Sequence, residues 1–373
     1  MNLAAVNRRN LAGLLAIAVC SLALLCLPSY QYLGTQTGIR ERARVVSVDD
    51  SSLTLLGLIK FGSQHLEIRM LQGPFKGQVF QAVNELRGQL ELDKLFRPGD
   101  TVVAVRQEAD KPGQDVIVAQ DYWRVGWTLL LFGVFCVLLC LFGGWIGAKA
   151  LFSFVFSCLV IWKLVIPLTL TGWSPVWVIF VSVVIMTGVI MFLVAGWSRC
   201  GLTAFAGATG GVLLGLLTSE FFTWIMDING ATMPYSQSLL YAVKVPVRLE
   251  KIFAGAVILA SSGAVMDLAM DISSGIREVA LHNPQLTAEQ LVRSGLRMGR
   301  NVVGTMTTTL LLAYAGGYLT LLMMFVLEGV HPWYLLNNPL VAAEAVKTLV
   351  GSFTLVLVAP LTALIGGHVF ARN

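Results

Sequence analysis

Charge is scarce in these 373 residues: Asp, Glu, Lys and Arg make up 13%, about half the share of an average soluble domain. Histidine is scarcer still, at four residues, and none stands at a zinc-like spacing from another. Six cysteines (Cys20, Cys26, Cys136, Cys140, Cys158 and Cys200) lie in or beside apolar runs, so no disulfide framework is implied. Cys136 and Cys140 sit one helical turn apart, but no His or carboxylate accompanies them. Two buried small hydrophobes are therefore favoured over a metal pair. There is no basic stripe with interleaved aromatics, which argues against a nucleic-acid partner. A nucleophile motif, and paired carboxylates near a membrane face with matching bases, are also missing. The expectation is a protein that is not an enzyme and holds no cofactor or metal.

Apolar residues make up 56% of the chain, with runs of membrane-spanning length. Arg8 and Arg9 precede a run from Leu11 to Leu27. Because Cys26-Leu-Pro-Ser-Tyr30 offers no small-x-small cleavage site, residues 1–37 are expected to form an uncleaved anchor rather than a signal peptide. Seven further spans follow: Val125–Ile146, Ala150–Leu170, Val176–Trp197, Leu202–Met226, Ile252–Ile272, Val302–Leu327 and Thr348–Phe370. Trp123, Trp127, Trp145, Trp173, Trp177, Trp197 and Trp224 cluster near their ends, as an interfacial belt requires. The fold class expected is a polytopic α-helical membrane protein with about eight transmembrane helices, the last seven within 123–373.

Residues 38–122 are the one clearly hydrophilic stretch. Between Arg40 and Arg124, twelve basic residues are balanced by twelve acidic ones. The net charge of +5 therefore comes from the apolar part and its loops, with fourteen basic residues against nine acidic. Alternation in Ala43–Val48, His65–Met70 and Thr101–Val105 predicts short strands. Asp49-Asp-Ser-Ser52, Gly73-Pro74, Arg97-Pro-Gly-Asp100 and Lys111-Pro-Gly113 are turn signals between them. A small all-β barrel or sandwich follows, better suited to docking or gating than to catalysis.

The basic residues orient the chain. With the N-terminus inside, Lys149, Arg199, Arg277, Arg293, Arg297, Arg300 and Arg372 also fall inside. Both termini are then cytoplasmic, and the β domain lies outside, which in a double-membraned bacterium means the periplasm. Lys244, Arg248 and Lys251 run against the rule, offset in part by Glu250. Between spans six and seven, Thr287-Ala-Glu-Gln290 is a capping-box pattern. It opens an amphipathic helix over 286–300 with Arg293, Arg297 and Arg300 at helical spacing, and two readings stand: an interfacial helix on an anionic leaflet, or a solvated linker.

The best lead to function is Asp267 and Asp271, four apart and so on one helix face. A carboxylate in hydrocarbon costs about 2.5–3.5 kcal/mol on insertion scales and usually faces a protein interior or a water path. Thr305, Thr307, Thr308 and Thr309 climb span seven through the same depths. They are candidates to share protons or coordinate a small cation with the aspartates; the bland alternative is bonding back to their own helix. Lys163 and Glu220 stand at comparable depth and would relieve each other as a structural ion pair. Glu328 and Glu344, near outer ends of spans, are expected to be solvated. Gly207, Gly211 and Gly215 make a GxxxGxxxG ridge for close helix approach. Gly263 and Gly304 are further candidate packing positions, and Gly316-Gly317 interrupts span seven.

The run Gly263-Ala-Val-Met-Asp-Leu-Ala-Met-Asp-Ile-Ser-Ser274, followed by Gly304-Thr-Met-Thr-Thr-Thr-Leu-Leu-Leu-Ala-Tyr-Ala-Gly-Gly317, resembles the YibE/F family of bacterial membrane proteins. The resemblance extends through the β domain and covers most of the chain. More distantly, Gly263-x-x-x-Asp267 with the Ile276-Arg277-Glu278 exit is similar to the aspartate helix of SecD/SecF and the RND permeases. That likeness covers about residues 250 to 327 and implies a proton-pathway role for Asp267. In this chain four spans, rather than two, separate the β domain from that helix, Ser274-Gly275 replaces an acid/base pair, and Asp271 has no counterpart. The function expected is proton-coupled (less favourably sodium-coupled) transport or a proton-driven envelope or secretion factor. Its partners would be the lipid bilayer, the coupling ion, and an envelope protein or a second copy. The alternative is a non-catalytic assembly or scaffold protein that presents the β domain to a complex.

Overall fold

A computed structural model describes residues 39–57, 59–88, 93–107, 116–243 and 246–371, together with Ser21, Leu22 and Leu25. Apart from those three residues, the expected anchor over 1–37 lies outside the described residues, as do Lys111-Pro-Gly113, Lys244 and Arg372. The chain divides into two compact units, one within 32–138 and one from Leu139 onward.

The first unit is built from β1 (Ile39–Asp49), β2 (Leu53–Leu56), β3 (Ile59–Met70), β4 (Val79–Arg87), β5 (Thr101–Gln107) and β6 (Val116–Tyr122). The three alternating stretches singled out in the sequence fall inside β1, β3 and β5. Period-two alternation turns Leu66, Ile68 and Met70 inward and leaves His65 and Arg69 exposed. The eleven-residue β1 pairs with β5 on one side and β3 on the other. With β3–β4, the parallel β4–β6 pair and β5–β6, the ring of five strands closes. This strand order is that of an OB-type barrel; β2 folds back on β3 as a hairpin.

A ring of side chains fills the barrel, among them Val45, Leu66, Ile68, Val102 and Ile117, and Phe96 is buried against them from the segment before β5. Two polar residues are buried with it. Gln64 Nε2 donates to Phe96 O (3.0 Å) and Asp50 Oδ1 (2.8 Å), while Gln64 Oε1 accepts from Phe96 N (3.0 Å) and Asn84 Nδ2 (3.1 Å). Every polar group of that glutamine is used, which is what makes its burial tolerable.

The second unit is helical. The helix leading into it, α1 (Val125–Leu170), begins within the first unit and is broken at Gly144, whose φ of 52° and ψ of −126° suit only glycine. The two spans expected over Val125–Ile146 and Ala150–Leu170 meet at this break. A π-helical turn, Ile161–Val165, carries Lys163. Then come α2 (Pro175–Val194), α3 (Arg199–Ile225), α4 (Ser236–Ala242), α5 (Leu249–His282), α6 (Ala288–Gly317), α7 (Leu319–Leu327), α8 (Pro332–Leu335) and α9 (Pro339–Phe370). Among the described residues, five helices are long and apolar enough to cross a membrane, or six if the bent pair α6–α7 counts as one.

α3, α5, α6 and α9 form the packed core. Phe253 lies beneath Lys347, and Ile276 lies against Gly366, so α5 and α9 run parallel. Gly299 faces Ala359 and Ile272, and Gly207 faces Thr362, so α6 and α3 run opposite to them. Phe253, Ile258, Leu268, Ile272, Leu355, Val358 and Ala363 are buried between the helices. The glycine ridge of α3 lets its backbone approach α9, as the sequence spacing predicts. Gly263 and Gly304 do not pack helices here: both are exposed, and a β-carbon on either would meet nothing within 4 Å.

The segment after α5 also differs from expectation. The capping box forms: Thr287 Oγ1 accepts from Gln290 N (3.4 Å), and Gln290 Oε1 accepts from Thr287 N (2.9 Å). The helix it opens does not stop at residue 300 but continues for 30 residues to Gly317. Gly295 and Gly299 bring its first half against Ile276, Ile272, Ala359 and Ala363. A separate helix lying beside the bundle is thereby replaced by the near half of a core helix. After the two glycines the axis turns by 66° into α7.

Candidate functional site

Leu, Ile, Val, Ala and Met dominate α5, and no proline interrupts its 34 residues. At about 1.5 Å per residue it is about 51 Å long, and it runs ten residues past the expected end at Ile272. Asp267, its nineteenth residue, is therefore near mid-helix. Gly263, Asp267, Asp271 and Ser274 are exposed along one face, while Leu268, Ala269, Ile272 and Ser273 on the other are fully buried. The bundle thus turns both carboxylates away from its own core. Among the described residues neither accepts a hydrogen bond or forms an ion pair. Two like charges one turn apart repel, and apolar surroundings screen them poorly.

The register of α5 against α6, read from Ile272 opposite Gly299, brings Gly304 and Thr305 to about the height of Asp267. Contact does not follow. Thr305 donates to Val302 O (2.9 Å), Thr307 to Val303 O (2.9 Å), Thr308 to Gly304 O (3.2 Å) and Thr309 to Thr305 O (3.0 Å). The threonine ladder is real, but its protons are given to its own helix.

The other expected groups separate. Glu220 pairs with Lys251, whose Nζ lies 2.6 Å from Oε1, and not with Lys163. The reason is topological: α3 and α5 lie side by side, with Ser219 Oγ donating to Ala254 O (3.0 Å). The π-helical turn of Lys163 instead packs near α2. Arg293 pairs with Glu289 one turn back (2.6 Å), and Arg297 and Arg300 are exposed on the same helix. A cavity of about 270 Å³ opens beside Glu220, Asp227, Arg248 and Lys251. At the opposite end of the core, one of about 310 Å³ is lined by Arg199, Arg277, Asn283 and Phe370.

Sequence reasoning missed one cluster. Glu344, expected in solvent, is half-buried and ion-paired with Lys347 (2.5 Å). α9 begins nine residues before the expected Thr348, so both charges lie within it. Their i,i+3 spacing beside an apolar run was the available signal. Among the described residues no group of three or more His, Cys, Asp or Glu could hold a metal ion.

No curated protein and no solved structure matches the chain. The model of one protein family does, that of the YibE/F-like proteins, over residues 131–372. This match leaves the β barrel outside it and takes in the whole of α2 to α9, with Asp267, Asp271, Glu344 and the threonine ladder. The chain therefore belongs to the YibE/F-like family.

Proposed function

We propose that this protein is a proton-coupled transport or envelope factor of the bacterial cytoplasmic membrane, in which Asp267 and Asp271 form an intramembrane carboxylate relay. One observation carries the reading: two unpaired carboxylates, one turn apart, stand near the middle of an apolar 34-residue helix. Such groups are costly in a bilayer and mark ion pathways more often than structural sites. The likeness of Gly263-x-x-x-Asp267 and its Ile-Arg-Glu exit to SecD/SecF and the RND permeases supports the same assignment. In this reading protons are preferred to sodium, and the β barrel is extracytoplasmic and responds to the transported species. Both termini are cytoplasmic, and no covalent chemistry is assigned.

The test is proton entry into liposomes that hold the purified chain and an internal pH-sensitive dye, under an imposed membrane potential. The parent is expected to acidify the lumen faster than empty vesicles, Asp267→Asn to abolish the difference, and Asp271→Asn to reduce it. Sodium in place of a proton gradient separates the two coupling ions. If a folded, inserted double variant conducts like the parent, the relay is wrong. Cells that keep the double variant's activity but lose it on deletion of 39–122 would favour an assembly factor.

A further inference from the structure

The broken span beside α9 holds a second set of titratable groups. Lys347 joins α9 to the α6–α7 junction and to α5: its Nζ pairs with Glu344 Oε1, donates to Tyr318 Oη at 3.4 Å, and lies 5.6 Å from the ring centre of Phe253 on α5. The side chains of Glu344 and Lys347 are only 14% and 20% exposed, so neither is a rim charge. This satisfies one carboxylate oxygen. The other, Oε2, is buried and among the described residues has no hydrogen-bond partner, and the same holds for the hydroxyl of Tyr314. Tyr314 on α6 stands one turn before Tyr318, and the antiparallel register that sets Gly299 against Ala359 and Gly295 against Ala363 brings it level with Glu344. A buried carboxylate oxygen and a buried phenol at one level are complementary, since each is costly to leave without a partner. A small shift completes the pair in either of two ways: the phenol donates to an ionised carboxylate, or a protonated carboxyl donates to the phenol oxygen. A cavity of about 300 Å³, lined by Leu311, Tyr318, Leu322, Glu344, Thr348 and Leu349, lies at the 66° bend.

We propose that Glu344 and Tyr314 form a proton-exchanging site at this bend. Glu344 takes a proton from hydronium in the cavity, releasing water, and the resulting carboxyl hydrogen-bonds the Tyr314 oxygen. Lys347 stays an ammonium ion and keeps Tyr318. Lys251, two residues from Phe253 on α5, is engaged by Glu220, so Lys347 is the cation that opposes protonation. The site lies fourteen residues along α5 from Asp267, judged from Phe253, or about 21 Å. Its place in transport rests on the relay reading; its protonation does not.

The experiment is infrared difference spectroscopy during pH steps on the full chain in lipid nanodiscs, with Asp267→Asn and Asp271→Asn already in place. Solvated carboxyls titrate near about 4, so the steps stop at about pH 6, and a protonated-carboxyl C=O band is expected to appear between about pH 9 and that point. It should vanish in Glu344→Gln, change frequency in Tyr314→Phe, and titrate with about tenfold higher proton affinity in Lys347→Met. Tyr314→Phe removes a single oxygen and is checked for parent-like elution. Absence of the band, its survival in Glu344→Gln, or indifference to Tyr314→Phe would overturn the proposal. Because Asp267 and Asp271 are absent from this background, the band reports on Glu344 whatever the liposome assay finds.

Discussion

Gly207 on α3 and Thr362 on α9 are packed so closely that a β-carbon on the glycine would lie 2.1 Å from the threonine Oγ1. The contact repeats down the ridge, with Gly211 against Val358 (2.7 Å) and Gly215 against Thr354 (2.3 Å). Thr354 and Thr362 donate to Val350 O (2.8 Å) and Val358 O (2.9 Å) of their own helix, so their hydroxyls ask nothing of α3. The interface is held by dispersion between a flat glycine surface and three β-branched side chains, the form of contact available where lipid removes the hydrophobic drive.

Gly211→Ala is therefore expected to destabilise the bundle by ~1–3 kcal/mol through overpacking. Gly304→Ala, in open space on a helix, should be neutral or stabilise by up to ~1 kcal/mol. Thermal unfolding of the detergent-solubilised variants measures both. Equal effects at the two positions would contradict the packing described.

The Glu220–Lys251 pair makes a different prediction. Both side chains are about one-third exposed, so the pair should contribute modestly, with a coupling of ~0.5–1 kcal/mol. A double-mutant cycle of Glu220→Gln and Lys251→Met should return that coupling, whereas Glu220→Gln and Lys163→Met should add independently. Coupling with Lys163 alone would restore the pairing suggested by depth.

In the barrel, partial burial acts to raise the Asp121 carboxyl, but a hydrogen bond from Arg124 (2.6 Å), one from Tyr122 N–H (2.7 Å) and the charge of Lys94 outweigh it. The carboxyl is held below its ordinary range. A depressed folded value means that the stabilisation is present above the unfolded carboxylate value of about 3.9 and is lost as pH falls through the folded one. Pepsin cleavage within 39–122 should rise as pH drops below about 4 in the parent. Asp121→Asn should start more susceptible and change less over that window.

Local patterns in the sequence account for much of this molecule. Alternation placed β1, β3 and β5, the capping box placed the start of α6, and Gly316-Gly317 foretold its bend. The ridge of α3 was legible because GxxxGxxxG keeps one face bare whatever lies opposite. Partnership was not legible. Lys163 and Glu220 share a depth, but depth leaves rotation and neighbour undetermined, and the fold put Lys251 beside Glu220 instead. Glu344 was misplaced because a hydropathy window stops at the first charges, whereas hydrogen bonding carries the helix back to Pro339.

Asp267 and Asp271 divide the two kinds of knowledge most clearly. Their types and four-residue spacing put them on one face of an apolar helix, because helical periodicity is a property of the chain alone. Which way that face turns depends on Leu268, Ile272 and Ile276 being buried against α3, α6 and α9. Only that packing leaves the two carboxylates unpaired on the open side, with a threonine ladder bonded to its own backbone.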